Sequence, residues 1–216
     1  MSDVWGVGCY DARDRRRPWT IGQAEIQRDM GGASRRLADL GIGAADRVLF
    51  CSMLSEAGQF WPLIVATMLV GAQLSCADAT AGEAPRVEMF LARMRYRAVI
   101  GVTDVLVEAM VERGTDLHAC FANVDVIAAR PGAYERLVAA GLAPYRFALC
   151  GPAVAIAPGA EEPAWIDGDE WHLDADHDDV LVTNLQPRAT SFARAAVATR
   201  GDVIENGKAI TWPSAR

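Results

Sequence analysis

The densest group of side chains able to do chemistry lies between Trp171 and Asp179, where His172 and His177 stand among four aspartates. Imidazole nitrogens and carboxylate oxygens are ligands for hard or borderline metal ions. The spacing matches no zinc or EF-hand pattern, and blocks of like charge are usually solvated. We therefore predict a solvated acidic segment here and no metal site.

Signals for nucleophilic or cofactor chemistry are weak in the rest of the chain. There is no Gly-x-Ser-x-Gly elbow, and Lys208 is the only lysine. The glycines at 6–8 lack a preceding strand and those at 31–32 lie in a helical pattern, so neither pair is a nucleotide fingerprint. The basic run at 13–17 could pair with a phosphate or an acidic partner, but a solvated arm is the expectation. The sequence accordingly predicts no catalytic residue and no cofactor.

Composition places the chain among soluble globular proteins. Its 216 residues are 51% hydrophobic and 23% charged, which allows a sizeable core and excludes wholesale disorder. The net charge of −7 argues against nucleic-acid or anionic-membrane partners. The longest apolar run, residues 60–70, is shorter than the roughly 20 residues that span a bilayer. Five dispersed cysteines without a CxxC pair favour a reducing compartment, and no signal peptide is visible, so we predict a cytoplasmic protein.

The elements that must position any site alternate along the chain. Apolar periodicity predicts helices over residues 23–40, 55–70, 87–94, 104–112 and 133–140. Unbroken apolar runs predict buried strands at 47–53, 73–76, 98–101, 124–128 and 145–150. The helix at 55–70 is apolar nearly all round, so it is expected to be buried. This order predicts an α/β fold with three layers, a largely parallel sheet flanked by helices, and ligands at the carboxyl ends of the strands.

We interpret residues 1–216 as one α/β domain. Residues 151–179 are rich in Pro, Gly and acidic side chains and are predicted to form a surface loop. A strand at 180–183, an apolar run at 195–198 and a closing helix near 201–206 are expected to follow.

The order of these elements resembles the N-terminal part of the adenylate-forming superfamily, which includes acyl-CoA synthetases, aryl-CoA ligases and luciferases. Residues 33–48, ASRRLADLGIGAADRV, are similar to that family's helix, its LGV-x-x-GDRV turn and its first core strand. Residues 56–78 resemble the next helix and the AGA…PLDP strand, and residues 83–100 resemble the helix and ARVL strand after it. These are scaffold motifs, so the resemblance implies the fold more strongly than the activity.

The resemblance also implies a phosphate-binding loop after residues 180–183. The family's loop, Ser-Gly-Thr-Thr-Gly-x-Pro-Lys-Gly, needs glycines for close backbone approach to phosphate and a lysine to offset its charge. Here residues 184–198 contain no glycine. Counting back from Thr199 places Arg194 at the lysine position and Thr190 at a threonine position. The glycine positions then fall on Arg188, Ser191 and Ala195, so we expect a degenerate loop.

The 216-residue chain, taken as it stands, stops soon after this loop. The resemblance then implies that the adenine-binding segment, the acid that binds the ribose and the mobile C-terminal domain are missing. Lys208 does not match the catalytic lysine of that domain. We therefore expect residues 180–216 to be a remnant of the phosphate-loop region, and adenylation by this chain alone is not expected.

The expected function is that of a non-catalytic homologue that binds a partner protein or a small ligand. A homo-oligomer or a complex with another protein could cover the apolar segments 60–70 and 193–198. One alternative is an enzyme or sensor that binds an acyl, aryl or CoA-type ligand at the old cleft, with the anion-facing groups Thr183, Thr190, Ser191 and Arg194. Another is one half of a split AMP-forming ligase.

Overall fold

A computed structural model of the chain describes residues 3–177 and 179–212. The strands are β1 (Val4–Asp11), β2 (Arg16–Gly22), β3 (Arg47–Cys51), β4 (Gln73–Ala77), β5 (Ala98–Val102), β6 (Val126–Ala129), β7 (Tyr145–Cys150), β8 (Ala153–Ile156), β9 (Ala164–Trp165), β10 (Trp171–Asp176), β11 (Asp179–Asn184), β12 (Ala195–Val197), β13 (Asp202–Ile204) and β14 (Ala209–Thr211). The helices are α1 (Gln23–Asp39), α2 (Ala57–Leu69), α3 (Ala84–Arg93), α4 (Asp104–Glu112), α5 (Leu117–Phe121) and α6 (Ala133–Ala139).

A nine-stranded sheet organises the chain in the order β13-β14-β9-β8-β7-β6-β5-β3-β4. Strands β4, β3, β5, β6 and β7 are parallel, because helices carry the chain back between them. The remaining strands add in antiparallel fashion, beginning with the two-residue turn between β7 and β8. The α/β fold with a helix-flanked sheet is confirmed, and the sheet is mixed, with its parallel part confined to five strands.

Helices cover both faces of this sheet, which gives the three expected layers. On one face Leu37 of α1 and Phe60 and Leu63 of α2 pack against Phe50 and Phe147 of the sheet. On the other face helices α3, α4 and α6 bury side chains such as Val87, Leu106 and Leu137. Helix α2 is only half buried: Trp61, Met68 and Leu69 remain exposed, which corrects the expectation that this helix is covered all round.

The prediction of a surface loop over residues 151–179 is wrong. This stretch contributes β8 and β9 to the large sheet and β10 to a separate sheet of three strands, β10-β11-β12. It also buries Ile156, Ile166 and Trp171. The apolar residues come in strands of two to six residues separated by turns, so the Pro, Gly and acidic content of the connections masked them. Asp178, part of the predicted acidic segment, lies outside the described residues.

Two further elements differ from expectation. The closing helix predicted near 201–206 is instead strand β13, followed by a 3-10 turn at Glu205–Gly207. The basic arm is not a free segment, because β1 and β2 form an antiparallel hairpin around it. Aromatic rings hold the hairpin to the three-stranded sheet, since the Tyr10 centroid lies 5.7 Å from that of Phe192, and Phe192 lies 5.7 Å from Trp171.

Candidate functional site

Three of the four residues predicted to face an anion have partners within the protein. Thr183 and Arg194 meet, because the Arg194 backbone N–H donates to Thr183 Oγ1 at 3.0 Å. The Arg194 guanidinium forms an ion pair with Asp174 at 2.9 Å. Thr190 has a different partner and accepts a hydrogen bond from the Thr20 N–H of the hairpin at 2.9 Å. Ser191 is exposed to solvent, and whether any of the four contacts a ligand stays a prediction.

The dominant feature of this segment is Arg188, whose side chain is 2% exposed. Its guanidinium binds Asp29 of α1 through both terminal nitrogens, at 3.0 and 2.5 Å, and Glu170 at 2.8 Å. Glu25, also on α1, lies 3.7 Å away, and the Trp171 ring centroid lies 3.9 Å from the Arg188 carbon Cζ. We call these five residues the Arg188 cluster. It ties residues 184–194 to α1 and to the start of β10.

The carboxylates of the Arg188 cluster stabilise the charged form of Arg188. Burial opposes the charged form of Arg188, but the hydrogen bond and charge of Asp29, with the charges of Glu170 and Glu25, raise its pKa above the ordinary value. Sequence reasoning placed Arg188 at a lost glycine position and missed this role. No sequence signal connects it to Asp29, which is 159 residues away.

Backbone N–H groups of the same segment already have acceptors within the protein. The Phe192 N–H donates to Asn184 Oδ1 at 2.5 Å, and the Ala189 N–H donates to Glu25 Oε1 at 3.4 Å. The only non-glycine residue of this segment with a positive φ is Arg194, at 53°, whereas the alignment placed the glycine positions at three other residues. The segment is therefore ordered by its own contacts.

A separate cleft of about 400 Å³ opens at the carboxyl ends of parallel strands β3, β6 and β7. This is the edge at which the sheet of an α/β fold usually binds ligands. Its lining includes three arginines, Arg16, Arg130 and Arg200, and two acidic residues, Asp11 and Glu56, beside apolar residues. The expected position of a ligand thus holds a cleft, but its lining residues are not the four that the alignment selected.

Two of the three arginines in the cleft are paired. Arg130 binds Glu56 through both terminal nitrogens, at 2.6 and 2.7 Å, and its carbon Cζ lies 5.7 Å from the Phe60 ring centroid. Arg16 is paired with Asp11 at 2.9 Å near the mouth. Arg200 is exposed and has no partner among the residues that the structure describes. The cleft therefore offers one guanidinium without a partner among the described residues, in a lining that mixes apolar and polar residues.

Two other kinds of site have no support in residues 3–177 and 179–212. Within these ranges no three His, Cys, Asp or Glu side chains are grouped so that they could hold a metal ion. In the same ranges, the helices are too short or too polar to cross a bilayer.

Burial raises the pKa of the Cys51 and Cys150 thiols to about 12, so both act as core residues.

The fold matches that of solved CoA ligases over about half their length. A 2-hydroxyisobutyryl-CoA ligase, solved with 2-HIB-AMP and CoA, matches with a TM-score of 0.68 and 15% identity, covering 95% of this chain and 54% of the ligase. An anthranilate CoA ligase bound to anthranoyl-AMP matches with a TM-score of 0.65 and 12% identity, over 97% of this chain and 47% of that one. An AMP-acid ligase II-like protein from Dyadobacter fermentans DSM 18053 matches with a TM-score of 0.55 and 12% identity, over 97% and 59%.

At this level of identity the likeness establishes the fold alone. No protein-family profile matches the sequence, and no curated protein matches it either. The chain spans about half the length of the solved ligases.

Proposed function

We propose that this chain is a non-catalytic relative of the acyl-CoA ligases, which acts by binding a protein or a small ligand. The observation that carries the proposal is the Arg188 cluster. A phosphate cradle needs backbone N–H groups free to point at the anion and positive charge left over to balance it. In residues 184–194 the guanidinium of Arg188 is already paired with carboxylates of the protein, and several backbone N–H groups already donate to acceptors in the protein.

The surroundings of this segment also disfavour phosphate. Glu25 and Glu170 are almost fully buried, at 3% and 5% exposure, and Asp29 lies beside them. These three carboxylates outnumber the two guanidinium groups paired with them, those of Arg28 and Arg188, so a nucleotide bound here would meet net negative charge. Like charges at short range in a buried setting repel strongly. The segment therefore has the electrostatics of a structural anchor.

The test is an ATP–pyrophosphate exchange assay with a panel of acyl and aryl acids, beside a thermal-shift measurement with ATP and Mg²⁺. We expect no exchange and no change in melting temperature, whereas a 2-hydroxyisobutyryl-CoA ligase run in parallel exchanges label. A ligand that binds only the folded state at a hundredfold excess over Kd would stabilise it by about 2.7 kcal/mol, which is readily seen. Exchange of label with any acid would contradict the proposal, and a shift with ATP alone would contradict the claim that residues 184–194 no longer bind a nucleotide.

The cleft favours a second candidate, the binding of an acyl, aryl or CoA-type anion. Its apolar lining residues suit the body of such a ligand, and the guanidinium of Arg200, which has no partner among the described residues, suits the negative group. The ligand class is the one that the sequence analysis gave as an alternative. The site is now the cleft at the sheet edge instead of the four residues between Thr183 and Arg194.

Benzoate and acetyl-CoA serve as probes for this candidate, with binding measured by calorimetry. Replacing Arg200 by alanine should weaken binding by about 10- to 100-fold, since a hydrogen bond to a charged group is worth about 1.5–3 kcal/mol. Arg194→Ala is the matched control, because it removes the guanidinium that the alignment selected. The opposite ranking of the two variants would return the site to Thr183, Thr190, Ser191 and Arg194.

A further inference from the structure

Helix α2 presents an unusual surface to solvent. Its outward side exposes Trp61, Met68 and Leu69, by 41%, 50% and 73%. Strand β1 crosses the N-terminal end of this helix, where Trp5 packs on Trp61 with ring centroids 5.9 Å apart. We call this surface the α2 face, and its large exposed side chains are Trp5, Val7, Leu54, Trp61, Met68 and Leu69.

The neighbouring helix shows that the α2 face is not a general property of this layer. Helix α1 packs beside α2 on the same side of the sheet, and its exposed residues include Gln27, Arg35 and Asp39. By contrast, residues 57–77 contain no charged side chain. On the opposite layer the exposed Val105 stands beside charged neighbours such as Asp104 and Glu108. The uncharged surface is thus confined to one helix and the strand that crosses it.

The size of the α2 face suits a stable contact. A fully exposed aromatic side chain offers about 150–250 Å², and aliphatic side chains offer less. The six side chains, at exposures between 38% and 88%, therefore present on the order of 600 Å² of apolar surface. Monomeric proteins rarely leave more than a few hundred Å² of such surface open. A standard interface buries about 800 Å² on each partner, which this face and its rim would supply.

We propose that the partner is a second copy of this chain, bound through the α2 faces about a two-fold axis. This inference rests on the proposed binding role and names the partner. In an antiparallel arrangement Trp61 of one copy meets Met68 and Leu69 of the other, which pairs an aromatic ring with a flexible thioether. Ile64 and Val65, half-buried at the middle of the helix, lie at the axis. Such a contact is self-complementary, as a two-fold interface must be.

Charge also favours a second copy. Each chain carries a net charge of −7, so two copies can associate only through a surface that places no like charges opposite each other. The α2 face meets this condition, because its helix carries no charge at all. A positively charged partner would instead bind the acidic surfaces elsewhere on the protein.

Light scattering and analytical ultracentrifugation of the full chain test the proposal. The wild type should have about twice the chain mass of 23.2 kDa. Leu69→Glu should raise the dimer dissociation constant by on the order of 100-fold or more, because it buries an unpaired carboxylate in the contact. Val105→Glu is the matched control, since Val105 is also exposed, at 54%, and lies outside the face. A monomeric wild type, or an equal effect of both variants, would overturn the proposal.

Disulfide cross-linking tests whether the two α2 helices lie antiparallel in the dimer. In a Cys76→Ser background, which removes the exposed native cysteine, Val65→Cys should form an intermolecular disulfide under mild oxidation and Leu69→Cys should not. Efficient linking through Leu69→Cys would exclude the antiparallel contact. The mass measurement is independent of nucleotide chemistry. A monomer that binds a protein of another sequence would leave the binding role standing and overturn the second copy, whereas adenylate formation would contradict only the proposed lack of catalysis.

Discussion

Replacing Arg188 by alanine is expected to lower the free energy of unfolding by about 3–5 kcal/mol, the usual cost of breaking a buried ion pair from one side. The variant leaves Asp29, Glu170 and Glu25 close together with only the guanidinium of Arg28, which pairs with Glu170 at 2.7 Å. It also removes the guanidinium stacked on Trp171. Chemical denaturation monitored by circular dichroism measures the loss, provided that the transition is two-state.

Arg194→Ala is the control for this prediction. Arg194 is also an arginine of the loop region and also forms an ion pair, but its side chain is 56% exposed. Exposed pairs contribute about 0–1 kcal/mol, so this variant should unfold close to the wild type. Similar losses for the two variants would show that burial of the Arg188 cluster is not what anchors the segment.

Gly101→Ala is expected to be among the most disruptive additions of a single methyl group in the described part of the chain. Gly101 lies in β5 at a register shift against β6, with a φ of 92°. An added Cβ would overlap the backbone oxygen of Cys51 and lie 2.8 Å from Phe60 Cζ. The left-handed conformation costs about 1–2 kcal/mol for an alanine, and forced overpacking in a core adds about 1–3 kcal/mol.

Gly114→Ala separates these two contributions. Gly114 has a φ of 81°, but nothing lies within 4 Å of its Cβ position. It should therefore lose only the conformational part, about 1–2 kcal/mol. The unfolding free energies and the soluble yields of both variants provide the comparison. Equal losses would mean that the strand pairing around Gly101 yields easily to the added methyl group.

The scaffold could be read from local patterns because helices and strands are set by short-range periodicity. The prediction of a helix over 23–40 corresponds to α1 at Gln23–Asp39, and those over 104–112 and 145–150 match α4 and β7. These elements are long or strongly apolar, so their own residues determine them. The scaffold motifs of the family resemblance lie in the same part of the chain, and the solved ligases share this fold.

The short strands after residue 150 could not be read in the same way. Strand β9 has two residues, and β13 and β14 have three each, so they carry too little periodicity to stand out from turns. Their existence depends on pairing with neighbours such as β8, which only the folded sheet supplies. The hairpin of β1 and β2 was missed for a similar reason, since it is held by Tyr10 and Phe192 across the chain.

The sequence by itself determined the α/β layering, the negative charge, the glycine-free segment at 184–198 and the uncharged run at 57–77. Only the tertiary structure decided how these are used. It brought Arg188 to Asp29 of α1 and to Glu170, just before β10. It also lined the cleft at the sheet edge with residues other than the four that the sequence comparison had selected. It also left one side of α2 uncovered. Patterning records whether a residue is apolar or charged, whereas burial and pairing depend on which distant segments pack against it.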